Sequence, residues 1–146
     1  LRVVTGAGGF IGGALFRRWK SKGRVLGCDF RAPWMHPETL IDWLRPDAVE
    51  SIVHLGACTD TRENDRAYLR RVNTDYTETL WNFCARHSIP FFYASSAATY
   101  GDGSLGYSDD ESILERLRPL NPYAESKQAF DLIALKESGS MPILEK

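Results

Sequence analysis

The sequence predicts an α/β fold, a doubly wound parallel sheet with flanking helices. Short runs of β-branched and aromatic residues alternate with stretches of helical spacing, which is typical of βαβ units. The first run, Val3-Val4-Thr5, breaks into glycines and is followed at once by a helix-like stretch. No internal repeat or linker interrupts the alternation, so residues 1–146 are predicted to form one domain.

The glycine-rich turn predicts a phosphate-binding connection between the first strand and the first helix. Gly6 allows the sharp bend, Gly9 lets a ligand approach the backbone, and Gly12 lets the helix pack closely on the strand. The N–H groups at the start of the helix then face the gap and suit a pyrophosphate. A glycine-rich loop without a ligand is the alternative, because this spacing alone is weak evidence.

An acidic residue at the expected distance favours a dinucleotide. Asp29 ends the next strand-like run, Arg24–Cys28, about 20 residues after the glycines. Its carboxylate would accept a hydrogen bond from a ribose 2′-hydroxyl and repel a 2′-phosphate, which favours NAD. Arg31 is close enough in sequence to offset that repulsion, so NADP and NAD are both left open.

The other elements follow from periodicity and from the turn residues between them. Pro46-Asp47 breaks the chain before the third strand, and a loop rich in Gly, Asp and Ser leads to Asn121. The predicted helices are Phe10–Lys20, Pro37–Leu44, Glu63–His87 and Pro122–Glu137, and the strands after the first are Arg24–Asp29, Ser51–Ala57 and Phe91–Ser96.

Composition excludes several classes of function. A net charge of -1 gives no basic surface for nucleic acid, and no apolar run reaches the roughly 20 residues of a membrane span. Cys28, Cys58 and Cys84 are scattered in apolar contexts and predict reduced thiols in a cytoplasmic protein. No His, Cys, Asp or Glu residues have metal-ligand spacing, so no metal site is predicted.

Two residues near the last helix suggest acid/base chemistry. Tyr123 and Lys127 are four apart and therefore share a helix face. A neighbouring ammonium favours a phenolate, which can take a proton from a substrate hydroxyl while hydride leaves the carbon. Ser96, at the carboxyl end of its strand, could hydrogen-bond the same oxygen. Each residue alone has an ordinary structural explanation, and it is their order along the chain that favours a site.

These residues complete a set of motifs by which the chain resembles the extended short-chain dehydrogenases/reductases, a Rossmann-type family of sugar-nucleotide epimerases and dehydratases. The resemblance is greatest to the ADP-glyceromanno-heptose 6-epimerase family. It covers most of the chain, from Thr5 to Lys127. The matching pieces are Thr5-Gly6-x-x-Gly9-x-x-Gly12, His54-Leu55-Gly56-Ala57, Asn73, Tyr93-Ala94-Ser95-Ser96-Ala97-Ala98-Thr99-Tyr100-Gly101, Arg116–Asn121 and Tyr123-x-x-x-Lys127.

The resemblance implies an isomerase of nucleotide-sugars in carbohydrate metabolism, with a role in lipopolysaccharide biosynthesis. NADP or NAD would oxidise a sugar carbon and return the hydride to its other face. Tyr123 would be the acid/base, Lys127 the cation beside it and an anchor for the ribose, and Ser96 the residue that hydrogen-bonds the carbonyl. The implied cofactor-binding residues are Thr5, Gly6, Gly9, Phe10, Ile11, Gly12, Asp29, Phe30, Arg31, Leu55, Gly56, Ala57, Asn73, Tyr123 and Lys127, and the implied substrate-binding residues are Thr59, Ser96, Ala97 and Thr99.

The chain also departs from the family pattern. About twenty residues separate Asp29 from Ser51, where the family fits a further strand with adenine contacts, so one strand is expected to be missing. The chain begins at Leu1, and residues 139–146 close no obvious element. This predicts a fragment that lacks the C-terminal substrate domain and the second lysine proposed as an acid/base in heptose epimerases.

Three interpretations stay open on this basis. The first is an epimerase, and Ala97-Ala98 argues against a dehydratase because the acidic pair of dehydratases is missing there. The second is a truncated dinucleotide-binding module without turnover. The third is another extended reductase, such as a UDP-hexose 4-epimerase. A homo-oligomer is also left open.

Overall fold

The computed structural model describes residues 1–31 and 36–137. These residues group into two compact units, which we call the sheet unit and the helical unit. The described part of the sheet unit is residues 1–31, 36–57 and 80–94, and that of the helical unit is residues 58–79 and 95–137. The single domain inferred from the sequence stays a prediction. Residues 32–35, which belong to a loop that the sequence predicts between Phe30 and Pro37, and residues 138–146 lie outside the described residues.

The elements alternate along the chain much as the hydrophobic pattern indicates. The four strands are β1 (Arg2–Thr5), β2 (Val25–Cys28), β3 (Ser51–His54) and β4 (Phe91–Tyr93). The α-helices are α1 (Phe10–Lys20), α2 (Pro37–Trp43), α3 (Arg66–Leu69), α4 (Tyr76–His87) and α5 (Pro122–Glu137). A π-helical segment (Arg70–Asp75) joins α3 to α4, and short 3-10 helices span Pro46–Ala48, Ala97–Tyr100 and Glu111–Arg116.

The four strands form one parallel sheet in the order β2-β1-β3-β4, which confirms the predicted α/β class. Strand β1 pairs with neighbours on both sides, and its side chains are covered on both faces of the sheet, since Val3 and Val4 point to opposite faces and both are fully buried. Burial of apolar surface of this kind is the main stabilising contribution of the sheet. Among the described residues the sheet has no further strand beside β2, in line with the expected missing strand.

Three predicted strands are shorter in the structure, β2 by one residue at each end and β3 and β4 by three residues at their carboxyl ends. Strand β3 ends at His54 and not at Ala57, and β4 ends at Tyr93 and not at Ser96. Each strand stops where the chain leaves the sheet with one last backbone bond: Leu55 donates to the Thr5 carbonyl at 3.3 Å, and Ala94 donates to the His54 carbonyl at 3.2 Å. Residues 55–57, which follow β3, are then available as a loop at the carboxyl edge of the sheet.

The long predicted helix Glu63–His87 also differs at its start and in its middle. The helix begins at Arg66, because the Asp65 carboxylate caps it by accepting a hydrogen bond from the backbone N–H of Tyr68 at 2.9 Å. Its middle, Arg70–Asp75, is π-helical. An i→i+5 turn leaves no periodic signature in the sequence, and such turns often lie at functional sites.

The helical unit is held together around α5. This helix packs against α3, against the π-helical segment and against both longer 3-10 helices. The Gln128 amide donates to the carbonyls of Leu114 and Leu117, which fixes the second of these 3-10 helices to α5. Both 3-10 helices lie in the stretch that the sequence predicts as loop, because its glycine and serine content is typical of loops.

Two kinds of feature are absent from residues 1–31 and 36–137. No helix there combines the length and the apolar character that crossing a membrane requires. Nor do three or more His, Cys, Asp or Glu side chains come together there as a group that could hold a metal ion.

Candidate active site

In the sheet unit, the glycine turn is shaped by its own backbone. Gly6 has a φ of +68°, and a Cβ there would lie 2.7 Å from the backbone of Leu55 and Gly56. A Cβ on Gly12 would overlap the carbonyl oxygen of Gly6. Both positions therefore require glycine for reasons internal to the fold. The turn packs directly onto the chain that leaves β3.

Gly9 and the first turn of α1 are different, because they leave room for a ligand. A Cβ on Gly9 would meet only the Gly6 carbonyl, at 3.1 Å. No side chain caps α1, and the two residues that follow Gly9 are exposed: Phe10 to 96% and Ile11 to 66%. The positive end of the helix thus faces an open space bordered by glycine, and this arrangement fits a pyrophosphate.

Asp29 lies beside this turn and is held ionised. Its carboxylate accepts hydrogen bonds from the Gly8 N–H at 3.0 Å and from the backbone N–H and Nε of Arg31, both at 3.1 Å. Burial opposes ionisation, but the hydrogen bonds from Arg31 and Gly8 and the charge of Arg31 outweigh it and lower the pKa of Asp29. An anionic acceptor at the end of β2 is the arrangement that a ribose hydroxyl requires. Phe30, beside it, is about half exposed.

The segment after β3 is tied to the end of β1. Thr5 Oγ1 accepts a hydrogen bond from the Gly56 N–H at 3.1 Å and lies 2.6 Å from His54 Nδ1. His54 is therefore a buried residue with a protein partner. Residues 55–57 lie against the glycine turn, and Asp29 is bonded to that turn from the end of β2. Together these contacts unite the predicted dinucleotide residues of the sheet unit at the carboxyl ends of three neighbouring strands.

In the helical unit, α5 carries the candidate acid/base residues. Tyr123 and Lys127 are 8% and 3% exposed, and Asp131, a further turn along, is 3% exposed. Burial lowers the pKa of Lys127, and the negative charge of Asp131 opposes that effect. The buried face of α5 thus presents a phenol, an ammonium and a carboxylate at successive turns.

The two serines after β4 have different partners. Ser96 Oγ accepts a hydrogen bond from the Ala98 N–H at 3.2 Å and caps the short 3-10 helix. A hydroxyl that accepts in this way still has its O–H to donate. Ser95 instead donates to Asp131 Oδ2 at 2.5 Å. Of the predicted substrate residues near them, Thr99 is buried and donates to the Ser96 carbonyl, whereas Ala97 is exposed.

Asn73 lies in the π-helical segment and is fully buried. Its amide N–H groups donate to the Cys58 carbonyl and to Ser126 Oγ, both at 3.0 Å, and its oxygen accepts from the Cys58 N–H at 2.8 Å. Asn73 therefore clamps the chain just before Thr59, which is exposed. The contact between Asn73 and a cofactor stays a prediction.

Three residues with well-defined contacts escape the sequence analysis: Ser95, Ser126 and Asp131. Ser126 Oγ donates to the Tyr123 carbonyl at 2.6 Å, and its backbone carbonyl accepts from Thr74. Asp131 had one available signal, since it continues the four-residue spacing of Tyr123 and Lys127. The other two depend on partners distant in sequence, which spacing does not reveal.

Comparison with known proteins agrees with this geometry. The sequence matches the NAD dependent epimerase/dehydratase family over residues 2–142. It is 40% identical to an ADP-L-glycero-D-manno-heptose-6-epimerase of Fusobacterium nucleatum and 38% identical to one of Nitratidesulfovibrio vulgaris. The alignments cover 92% of this chain and 47% and 48% of those relatives, so the chain spans about half the length of the curated relatives it matches.

Solved structures give the same result. A short-chain dehydrogenase/reductase superfamily protein from Agrobacterium tumefaciens, with bound NAD, superposes with a TM-score of 0.78 at 25% identity. The match covers 98% of this chain and 47% of that one. The expected resemblance, the Rossmann-type fold and the nicotinamide dinucleotide as the cofactor class of the family are thereby confirmed. The chain belongs to the NAD dependent epimerase/dehydratase family.

Proposed function

We propose that this chain provides the dinucleotide-binding and acid/base residues of a sugar-nucleotide epimerase that acts by transient oxidation. The substrate class is an ADP-linked heptose, as in the relatives named ADP-L-glycero-D-manno-heptose-6-epimerase. The reaction takes place in the cytoplasm and supplies a sugar for lipopolysaccharide biosynthesis. Ala97-Ala98 supports epimerisation over dehydration, because no acidic pair follows Ser96.

The buried face of α5 is the observation that supports this proposal most. Lys127 is 3% exposed, yet it lies one turn from a phenol. A buried ammonium is costly, and structures keep one mainly where its charge has a function. A phenol and an ammonium on one buried helix face are a pair suited to taking a proton from a substrate hydroxyl.

The residues of the chain would then divide the work as follows. Tyr123 takes the proton from the substrate hydroxyl at its phenolic oxygen and returns it when the hydroxyl re-forms. Ser96 donates its O–H to the same substrate oxygen, which favours the carbonyl form. A bound nicotinamide dinucleotide supplies the hydride acceptor and donor. The glycine turn holds its pyrophosphate, and Asp29 accepts from its ribose.

The choice between NAD and NADP depends on Asp29 and Arg31. The Asp29 carboxylate would repel a 2′-phosphate, whereas the exposed Arg31 guanidinium would attract one. The hydrogen bonds from Arg31 favour the ionised form of Asp29 at the end of β2, and this carboxylate would accept a hydrogen bond from a ribose hydroxyl. We propose NAD as the preferred cofactor on this ground.

The first experiment is a calorimetric titration of the purified chain with NAD and with NADP. Saturable binding is expected, with NAD the tighter ligand, and Arg31→Ala should widen the difference between the two cofactors. Absence of binding by either cofactor would contradict the proposal. Addition of ADP-heptose to the NAD complex should then produce the ultraviolet absorbance of reduced nicotinamide. Binding without that absorbance would instead support a dinucleotide-binding module without turnover.

A further inference from the structure

Two charged side chains are buried next to each other on α5, and the described part of the helical unit buries no other Asp, Glu, Lys or Arg. These are Lys127 and Asp131, both 3% exposed and one helical turn apart. Burial of either charge alone would be strongly unfavourable, whereas opposite charges on adjacent turns offset each other's desolvation. The negative charge of Asp131 favours the charged form of Lys127, against the larger opposing effect of burial on the pKa of that lysine.

Asp131 also reaches the segment that carries Ser96. Ser95 Oγ donates to Asp131 Oδ2 at 2.5 Å. The next residue is Ser96, whose hydroxyl caps the following 3-10 helix. A single carboxylate thus contacts the serine segment and lies one helical turn from the buried lysine.

Other charged groups on the elements packed against α5 are poor substitutes for Asp131, because they are exposed. Arg66 of α3 pairs with Glu125, and Arg70 pairs with Asp75. The π-helical segment also carries Arg71. The 3-10 helix Glu111–Arg116 carries Glu111, Glu115 and Arg116, and the 3-10 helix Ala97–Tyr100 carries one titratable residue, Tyr100.

We propose that Asp131 is a positioning residue of the acid/base site, which keeps Lys127 cationic and anchors the serine segment through the Ser95 hydroxyl. This inference rests on the proposed function. Asp131 does not contact the substrate. It acts through Lys127, which belongs to the acid/base site, and through Ser95, which directly precedes Ser96 in the chain. Loss of Asp131 should therefore alter the charge state of Lys127 and leave dinucleotide binding at the glycine turn unchanged.

Two variants separate the charge of Asp131 from its hydrogen bond. Asp131→Asn removes the charge and keeps an oxygen that can accept from Ser95, whereas Ser95→Ala removes the hydroxyl and keeps the charge. The readout is the Lys127 ammonium, followed by NMR through its 13Cε and 15Nζ shifts as pH is raised. Lys127→Arg identifies the signal.

Asp131→Asn should lower the titration midpoint of Lys127 by about one pH unit or more, because an attractive charge at close range is lost. Ser95→Ala should leave the midpoint unchanged but speed hydrogen exchange of the Ala98 amide. The matched control is Glu125→Gln, which removes a more exposed carboxylate from the same helix and should leave Lys127 near the wild-type value. An unchanged midpoint in Asp131→Asn overturns the charge part of the proposal, and unchanged Ala98 exchange in Ser95→Ala overturns the anchor.

A further comparison covers the case in which Asp131→Asn does not fold. If the two charges offset each other, the double variant Lys127→Met/Asp131→Asn should fold and show a cooperative urea transition that Asp131→Asn alone lacks. A double variant as unstable as Asp131→Asn would contradict the pairing. The NMR titration needs neither cofactor nor turnover, so a failure of the proposed function would show in the calorimetry and leave this measurement intact.

Discussion

Two glycines of the same turn are expected to have different roles, Gly12 in the stability of the fold and Gly9 in cofactor binding, and two substitutions should distinguish these roles. Gly12→Ala should destabilise the fold by about 1–3 kcal/mol, because its Cβ overlaps the Gly6 carbonyl. Gly9→Val should keep most of the stability, since Gly9 has extended backbone dihedrals and its Cβ meets only one atom, but it should crowd the pyrophosphate. Urea unfolding and NAD calorimetry measure the two effects. A Gly9→Val variant with wild-type NAD affinity would contradict the assignment of this turn.

Tyr123 should matter for chemistry and not for binding. Tyr123→Phe keeps the ring buried on α5 and removes only the hydroxyl, so reduction of bound NAD by ADP-heptose should fall by at least about 100-fold. NAD affinity should stay near that of the wild type. Stopped-flow absorbance and calorimetry measure the two quantities, and Tyr107→Phe, an exposed tyrosine in the same unit, is the control. A Tyr123→Phe variant that reduces NAD at the normal rate would exclude this tyrosine as the base.

Asp29 should give the fold a defined dependence on acid. Its pKa is lowered in the folded chain, so the unfolded chain binds more protons as pH falls below about 3.8. The contribution of Asp29 to stability is therefore complete above that pH and is lost as pH falls through the lowered pKa. Asp29→Asn should lower the thermal midpoint at neutral pH, and its difference from wild type should shrink in acid. Asp47→Asn, at an exposed site, should show no such change, and a pH-independent difference for Asp29→Asn would refute the explanation.

At the scale of elements, the sequence predicts most where the pattern is local. The ends of α1 and of α5 coincide with the predicted ones, because α1 begins directly after a glycine turn and α5 has a proline at its first position. The π-helical segment and the 3-10 helices near residues 97–116 are missed, since their hydrogen-bond spacing has no residue pattern of its own. The ends of β3 and β4 are also missed, because nothing in the residues 55–57 and 94–96 marks the point where the chain leaves the sheet.

The π-helical segment should owe its stability to Asn73. Asn73→Ala would leave the Cys58 N–H and carbonyl and the Ser126 hydroxyl without their present partner. Each buried group left unsatisfied costs about 1–3 kcal/mol, so the free energy of unfolding should fall by at least that amount. Urea denaturation tests this, with the exposed Asn82→Ala on α4 as the control. Equal unfolding free energies for the two variants would mean that the clamp contributes nothing.

For the molecule as a whole, the sequence predicts the main residues of the candidate site but not the hydrogen bonds that connect distant segments of it. The glycine turn, Asp29, Tyr123 and Lys127 follow from spacing, because a short motif carries its own geometry. The pairing of Ser95 with Asp131 spans 36 positions and is produced only by tertiary packing. The chain spans about half the length of its curated relatives, so the activity of the whole protein stays a proposal.

The order of the strands predicts how protection against hydrogen exchange should vary across the sheet. Strands β1 and β3 pair on both sides, whereas β2 and β4 are edges in the described part of the chain. The carbonyls of Arg24, just before β2, and of Cys28, at its end, accept hydrogen bonds from backbone N–H groups on the β1 side. Because alternate residues of a strand point in opposite directions within the sheet, the amides of Val25 and Gly27 point away from β1.

The Val25 and Gly27 amides should therefore exchange close to the rate of an open chain, while those of β1 and β3 should exchange only when the fold opens. Exchange followed by NMR at two protein concentrations measures this. Protection of Val25 and Gly27 that grows with concentration would mean that a second copy pairs with the β2 edge. Protection that does not depend on concentration would mean that part of the same chain covers this edge, and that β2 is not an edge of the sheet in solution.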